Sequence, residues 1–196
     1  MQPREFKYLA LGDSYTIGES VAEADRWPNQ LADRLKIPRP KIIATTGWRT
    51  DQLKAAVETA HLSNEYNLVS LLIGVNNQYQ GKPAAQYEIE FEELLTRSIQ
   101  LAQGNPEKVF IVSIPDYGYT PFGKTKQETI SKQLDEFNAI NKRIAAKYNV
   151  AYFNITDISR QGLDKPALVA SDGLHPSGAM YTLWVDRILQ DLKITR

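Results

Sequence analysis

Leu9-Ala10-Leu11-Gly12-Asp13-Ser14 closes the first apolar run of this 196-residue chain. Such a run reads as a buried strand, and its glycine lets the chain turn sharply out of it. A serine at that point is where a parallel α/β fold presents a nucleophile. Downstream, short apolar runs alternate with longer helical patterns, the signature of α/β architecture. Strands are predicted at Phe6–Leu11, Lys41–Ala44, Leu68–Ile73, Lys108–Ile114 and Val150–Phe153. Most are nearly continuous Val, Ile, Leu and Tyr, as expected when both faces are covered. Helices are predicted at about Pro28–Leu35, Thr50–Ala60, Ala85–Gln103, Lys126–Tyr148 and Ser177–Leu192. In the fourth, Ile130, Leu134, Phe137, Ile144 and Tyr148 form an apolar stripe with one polar interruption, Asn141. Pro115–Lys124 and Thr156–Ser171 read as loops. Five parallel strands joined by right-handed crossovers predict a three-layer α/β/α sandwich, a single domain over residues 1–196, with the ligand beyond the carboxyl ends of the strands.

Composition narrows the partners. Hydrophobic residues make up 42% and charged residues 23%, ordinary values for a globular domain of this length. The 23 Lys and Arg balance the 23 Asp and Glu, so no overall field draws nucleic acid or an anionic membrane surface. A small substrate, neutral or mixed in charge, is expected. Cysteine is absent, which excludes disulfides, thiolate metal sites and a cysteine nucleophile. No apolar stretch approaches membrane-spanning length, so no integral membrane association is expected. The charged start, Met1 to Lys7, leaves no room for a signal-peptide core and makes the cytoplasm the default, although a chain trimmed of an export signal would look the same. Nothing in the sequence speaks to oligomeric state.

The chemistry is narrowed by scarcity. A serine nucleophile needs a base, and the chain has two histidines, His61 and His175. His61 sits in a polar stretch that reads as surface. His175 follows Asp172 by three residues, a spacing that lets the carboxylate hold one imidazole nitrogen while the other faces the serine. Taken alone, Asp172 would more commonly be a helix cap and His175 a surface residue. The base does not work without donors for the developing oxyanion. Gly47, after the second strand, can bring its N–H close to a ligand, and Asn76, after the third, offers a side-chain amide. With the Ser14 N–H these converge from three strand ends. Singly, Gly47 is an ordinary turn glycine and Asn76 an ordinary loop asparagine. Tyr15, Trp48, Tyr79, Tyr117, Tyr119 and Phe122 fall on loops at the same edge, where they could line an acyl pocket, stack on a sugar ring or simply pack beneath the loops. The Asp116–Lys124 segment is expected to form one wall of the cleft.

Four ordered blocks make the chain resemble the GDSL, or SGNH, hydrolases, and within them the small bacterial thioesterase/lysophospholipase-type esterases. They are Gly12-Asp13-Ser14 with Gly18, Thr46-Gly47 with Thr50, Gly74-Val75-Asn76-Asn77, and Asp172-Gly173-Leu174-His175-Pro176. Trp27-Pro28 with Leu31, and Ile114-Pro115 with Tyr117-Gly118, are similar to that subgroup too. The resemblance implies a flavodoxin-like five-stranded sheet and serine-based ester hydrolysis without metal or cofactor. It also implies Ser14 as nucleophile, Asp172 and His175 as the acid–base pair, and Ser14, Gly47 and Asn76 as oxyanion donors. One position departs from the pattern: the third block usually ends in aspartate, and Asn77 stands there. Asparagine keeps the hydrogen-bonding reach and loses the charge, so a shift in activity or specificity is expected rather than its loss.

Other classes are compatible with the same sheet. The first loop lacks a Gly-x-Gly-x-x-Gly or Walker pattern, and Asp13 would oppose a phosphate there, which argues against nucleotide or flavin. An acetyl-ester hydrolase or acyltransferase acting on carbohydrate, or a non-catalytic glycan-binding relative, are the alternatives to a lipase- or esterase-type acylhydrolase. A complete Ser14, Asp172 and His175 set argues against pure binding, but hydrolase and transferase share the acyl-enzyme.

Overall fold

The computed structural model describes residues 5–194. The start of the N-terminal reading, residues 1–4, lies outside them. Five strands pair in parallel in the order β2-β1-β3-β4-β5: β1 (Tyr8–Gly12), β2 (Lys41–Ala44), β3 (Leu68–Leu72), β4 (Val109–Val112) and β5 (Ala151–Phe153). The three inner strands are buried at every position, whereas β2 and β5, at the edges, keep exposed residues. That is why the inner strands read as unbroken apolar runs.

Helices cover both faces. α2 (Trp27–Leu35) packs on α8 (Gly178–Asp191), and α3 (Thr50–Thr59), α5 (Ala84–Leu101) and α6 (Gln127–Lys147) pack side by side. Trp27 meets Phe110 of β4 edge-on at 6.2 Å, while Tyr87 of α5 stacks on Phe137 of α6 at 4.4 Å. The polar interruption in the α6 stripe has a partner: Asn141 is buried and its Oδ1 accepts from Tyr87 Oη at 2.6 Å. This bond satisfies the buried carbonyl oxygen and fixes α5 against α6, while the Asn141 Nδ2 has no partner among the described residues.

Three segments read as irregular contain short helical pieces. Residues 156–171 begin with a turn of helix, α7 (Thr156–Ser159), and later contain a 3₁₀ turn at Pro166–Leu168. A 3₁₀ turn at Tyr117–Tyr119 forms because Asp116 Oδ1 accepts from the Gly118 N–H at 2.9 Å. Asn76 lies on a five-residue helix, α4 (Val75–Tyr79), rather than in a loop. Asp172 does not cap α8; Ser177 does, with Oγ accepting from the Met180 N–H.

The order 2-1-3-4-5 reverses direction between β1 and β3. Ser14 therefore leaves β1, and Asn76 leaves β3, on either side of the switch point, where open α/β sheets bind ligands.

Candidate active site

The turn that presents Ser14 is built from its neighbours. Asp13 caps the short helix α1 (Ser14–Ile17), its Oδ1 accepting from the Tyr15 N–H at 3.0 Å. A Cβ on Gly12 would lie 2.1 Å from Thr16 Oγ1 and 2.6 Å from the Leu72 carbonyl oxygen, so only glycine lets the chain double back against β3. As the first helical residue, Ser14 has no intrahelical partner for its N–H. That N–H, and Ser14 Oγ, make no hydrogen bond to any described residue.

Two further donors border the same space. Gly47 has φ +88°, a conformation that favours glycine, and its N–H is also unengaged among the described residues. Asn76 Nδ2 donates one hydrogen to the Trp48 carbonyl at 2.9 Å, which leaves the other free. Asn77 points elsewhere: its Oδ1 accepts from the Thr50 N–H at 3.1 Å and its Nδ2 donates to Thr50 Oγ1 at 2.6 Å. Thr50 in turn donates to Glu90. Asn77 thus ties the third block to the second block's helix, and a carboxylate stands one step further out.

His175 is nearly buried, and Asp172 holds it at two points. Asp172 Oδ2 lies 2.6 Å from His175 Nδ1, and Oδ1 accepts from the His175 and Leu174 N–H groups at 2.9 Å each. Ser20 Oγ donates to Oδ2 at 2.7 Å. Burial works against the Asp172 charge, but these hydrogen bonds outweigh it and hold the carboxyl well below the usual range. The Asp172–His175 pair is therefore arranged with the carboxylate ionised and Nε2 as the free ring nitrogen. Asp13 goes the other way: its carboxyl is wholly buried, Oδ2 has no partner, and desolvation pushes its pKa up to about 7 against the N–H bonds it accepts.

Ser14, Tyr15, Gly47, Asn76, Tyr79, Tyr117, Phe122 and His175 all line one cleft of about 190 Å³. Asp172 stands behind His175. Two expected lining residues are elsewhere. Trp48 is half-buried against the core and lends the site its carbonyl, and the Tyr119 ring lies 6.0 Å from the Arg160 guanidinium. Aromaticity in a loop does not say which way a ring faces, and here the turns direct these two away. Thr46, Val75 and Leu174, given no site role in the sequence analysis, line the cleft as well. Each is a block residue next to an assigned site residue, which is the signal that could have found them. Ser20 had no such signal. His61 is exposed, on a left-handed turn residue away from the cleft.

The sequence pattern of the GDSL-like Lipase/Acylhydrolase family matches residues 10–183. Among curated proteins, none matches the chain. Several solved structures share the fold. TesA superposes with a TM-score of 0.75 at 16% identity, over 95% of this chain and 98% of its own. Phospholipase A1 from Streptomyces albidoflavus NA297 has the same TM-score at 17% identity, over 96% and 100%. Axe2, an acetylxylan esterase from Geobacillus stearothermophilus, gives 0.72 at 20% identity, over 97% and 95%. These likenesses are of fold; the family match spans the four sequence blocks and carries ester hydrolysis as the general activity. The chain belongs to the GDSL-like lipase/acylhydrolase family.

Proposed function

We propose that the protein is a carboxylic ester hydrolase working as a single catalytic domain through an acyl-Ser14 intermediate. His175 Nε2 takes the Ser14 proton as Oγ attacks the ester carbonyl, and the tetrahedral oxyanion is received by the Ser14 and Gly47 N–H groups and the Asn76 amide. Collapse breaks the bond to the alkoxy oxygen, which leaves with the proton from His175. Water then enters, gives its proton to His175 and frees the acid as Ser14 is regenerated. Asp172 stays ionised and keeps His175 in the required tautomer.

The observation that carries this reading is the convergence in one cleft of Ser14 and an Asp172-held His175 with three unengaged donors from three strand ends. Ser14 Oγ and His175 make no direct hydrogen bond, and such contacts commonly tighten when substrate binds. The cleft wall is largely apolar, with Tyr15, Val75, Leu174 and the aromatics Tyr79, Tyr117 and Phe122, and its small volume suits a short acyl group. Initial rates on p-nitrophenyl acetate test the assignment: Ser14→Ala and His175→Ala should each lose on the order of 10⁴–10⁶ in turnover. Retention within about tenfold of the parent rate would remove these residues from the chemistry.

A further inference from the structure

A second hollow adjoins the cleft and is larger, about 400 Å³ against about 190 Å³. Tyr79, Tyr117 and Phe122 line both, their ring centroids 6.2–6.3 Å apart, so the two hollows share an aromatic rim. Tyr79 is 59% and Phe122 51% exposed, a large apolar area left facing water at the mouth of the cleft.

The remainder of the second hollow is mostly polar. Gln78, Thr125, Thr129 and Gln133 line it, and Lys126 is its one charged residue among those described. The amides are not randomly disposed. Gln78 is buried; its Oε1 accepts from Tyr117 Oη at 2.9 Å and its Nε2 donates to Gln133 Oε1 at 2.7 Å. That chain runs from the cleft wall to the groove and occupies the oxygen of Gln133. Gln133 Nε2 is left as an oriented donor beside the two threonine hydroxyls.

An apolar chain laid in this groove would strip water from amides and hydroxyls and return no hydrogen bonds. A ring with hydroxyl groups on its edge and C–H groups on its face would satisfy those groups and cover the exposed faces of Tyr79 and Phe122. We propose that the groove binds the alcohol half of the ester as an uncharged, polyhydroxylated ring, a sugar, while a short acyl group occupies the cleft at Ser14. This rests on the reading of Ser14 as nucleophile and adds the substrate class to it.

Steady-state kinetics on a monoacetylated sugar with its other hydroxyls free (methyl 6-O-acetyl-glucopyranoside), on p-nitrophenyl acetate and on p-nitrophenyl decanoate decide the matter, with Gln133→Ala and Lys126→Ala as variants. Both side chains are exposed, so the fold tolerates their loss. The ratio of kcat/KM for the sugar acetate to that for p-nitrophenyl acetate should fall about tenfold, chiefly through KM. A ratio that does not move in either variant overturns the proposal. So does a selective loss on the decanoate ester, which would put an acyl chain in the groove. A Ser14→Ala protein that still hydrolyses p-nitrophenyl acetate rejects the underlying reading instead, whatever the groove variants do.

Discussion

Asn76 spends one amide hydrogen on the Trp48 carbonyl, and that bond fixes its side chain while the second hydrogen is left for a ligand. On the proposed mechanism its loss removes one of three oxyanion donors and touches no proton transfer. Asn76→Ala should therefore lower kcat by roughly 10²–10³ with little change in KM, measured on p-nitrophenyl acetate. A drop under about threefold would exclude it from the oxyanion hole. The neighbouring Asn77 shows how a departure from the family pattern is absorbed. An aspartate there would have to accept from the Thr50 hydroxyl; Asn77 donates to that hydroxyl and frees it to bond Glu90. The block keeps its link to α3 and the negative charge resides on Glu90. Asp172 is bonded at both oxygens, Oδ2 by the His175 ring and the Ser20 hydroxyl and Oδ1 by the His175 and Leu174 N–H groups, so the carboxylate that orients the imidazole is itself oriented.

The segment between β4 and α6 is held by an ion pair rather than by regular structure. Asp116 is buried, accepts from Ser131 Oγ at 2.6 Å and from Arg160 Nε at 2.9 Å, and its own N–H donates to Ser159 Oγ. These bonds clamp the turn that carries Tyr117 and, through it, one wall of the cleft. Arg160→Ala would leave a buried carboxylate without its cation. Breaking such a pair typically costs 3–5 kcal/mol; with Arg160 nearly one-third exposed, about 1–3 kcal/mol is expected by urea unfolding. KM should rise as the Tyr117 wall loosens. Unchanged stability and unchanged KM would mean the segment is held by its other bonds. Elements were legible to different degrees. β1, β3 and β4 announce themselves because both faces are buried, and Ser14 and Asn76 follow the ends of β1 and β3. The Asp116–Arg160 pair joins residues 44 apart in a segment without period, and no local pattern predicts such a pairing. The facing directions of Trp48 and Tyr119 were illegible for the same reason.

Across the whole molecule, a wholly buried Asp13 lies next to the nucleophile, and its raised pKa couples folding to pH. In the unfolded chain it ionises near the ordinary aspartate value; in the fold, burial delays ionisation to about pH 7. The folded state therefore binds the extra proton between about pH 4 and 7, and the Asp13 contribution to stability is present below that window and lost as pH rises through it. Asp172 acts oppositely, contributing stability at and above the ordinary carboxylate range and losing it only as pH falls further into acid. Urea unfolding across the window should show a decline with pH in the parent protein that is markedly flatter in Asp13→Asn; equal slopes would contradict a buried neutral acid. The five-stranded parallel architecture was readable from the apolar runs and the family from four short blocks, whereas the strand order was not predicted, and the groove depends on Gln78 meeting Gln133 across 55 residues and became visible only in the fold. The central claim, covalent catalysis by Ser14, is tested most directly by quenching the protein in acid during turnover of p-nitrophenyl acetate and measuring its mass. An acetyl adduct on the peptide containing Ser14, absent from Ser14→Ala, is the predicted result. Steady turnover with no adduct, together with an undiminished rate in Ser14→Ala, would contradict it.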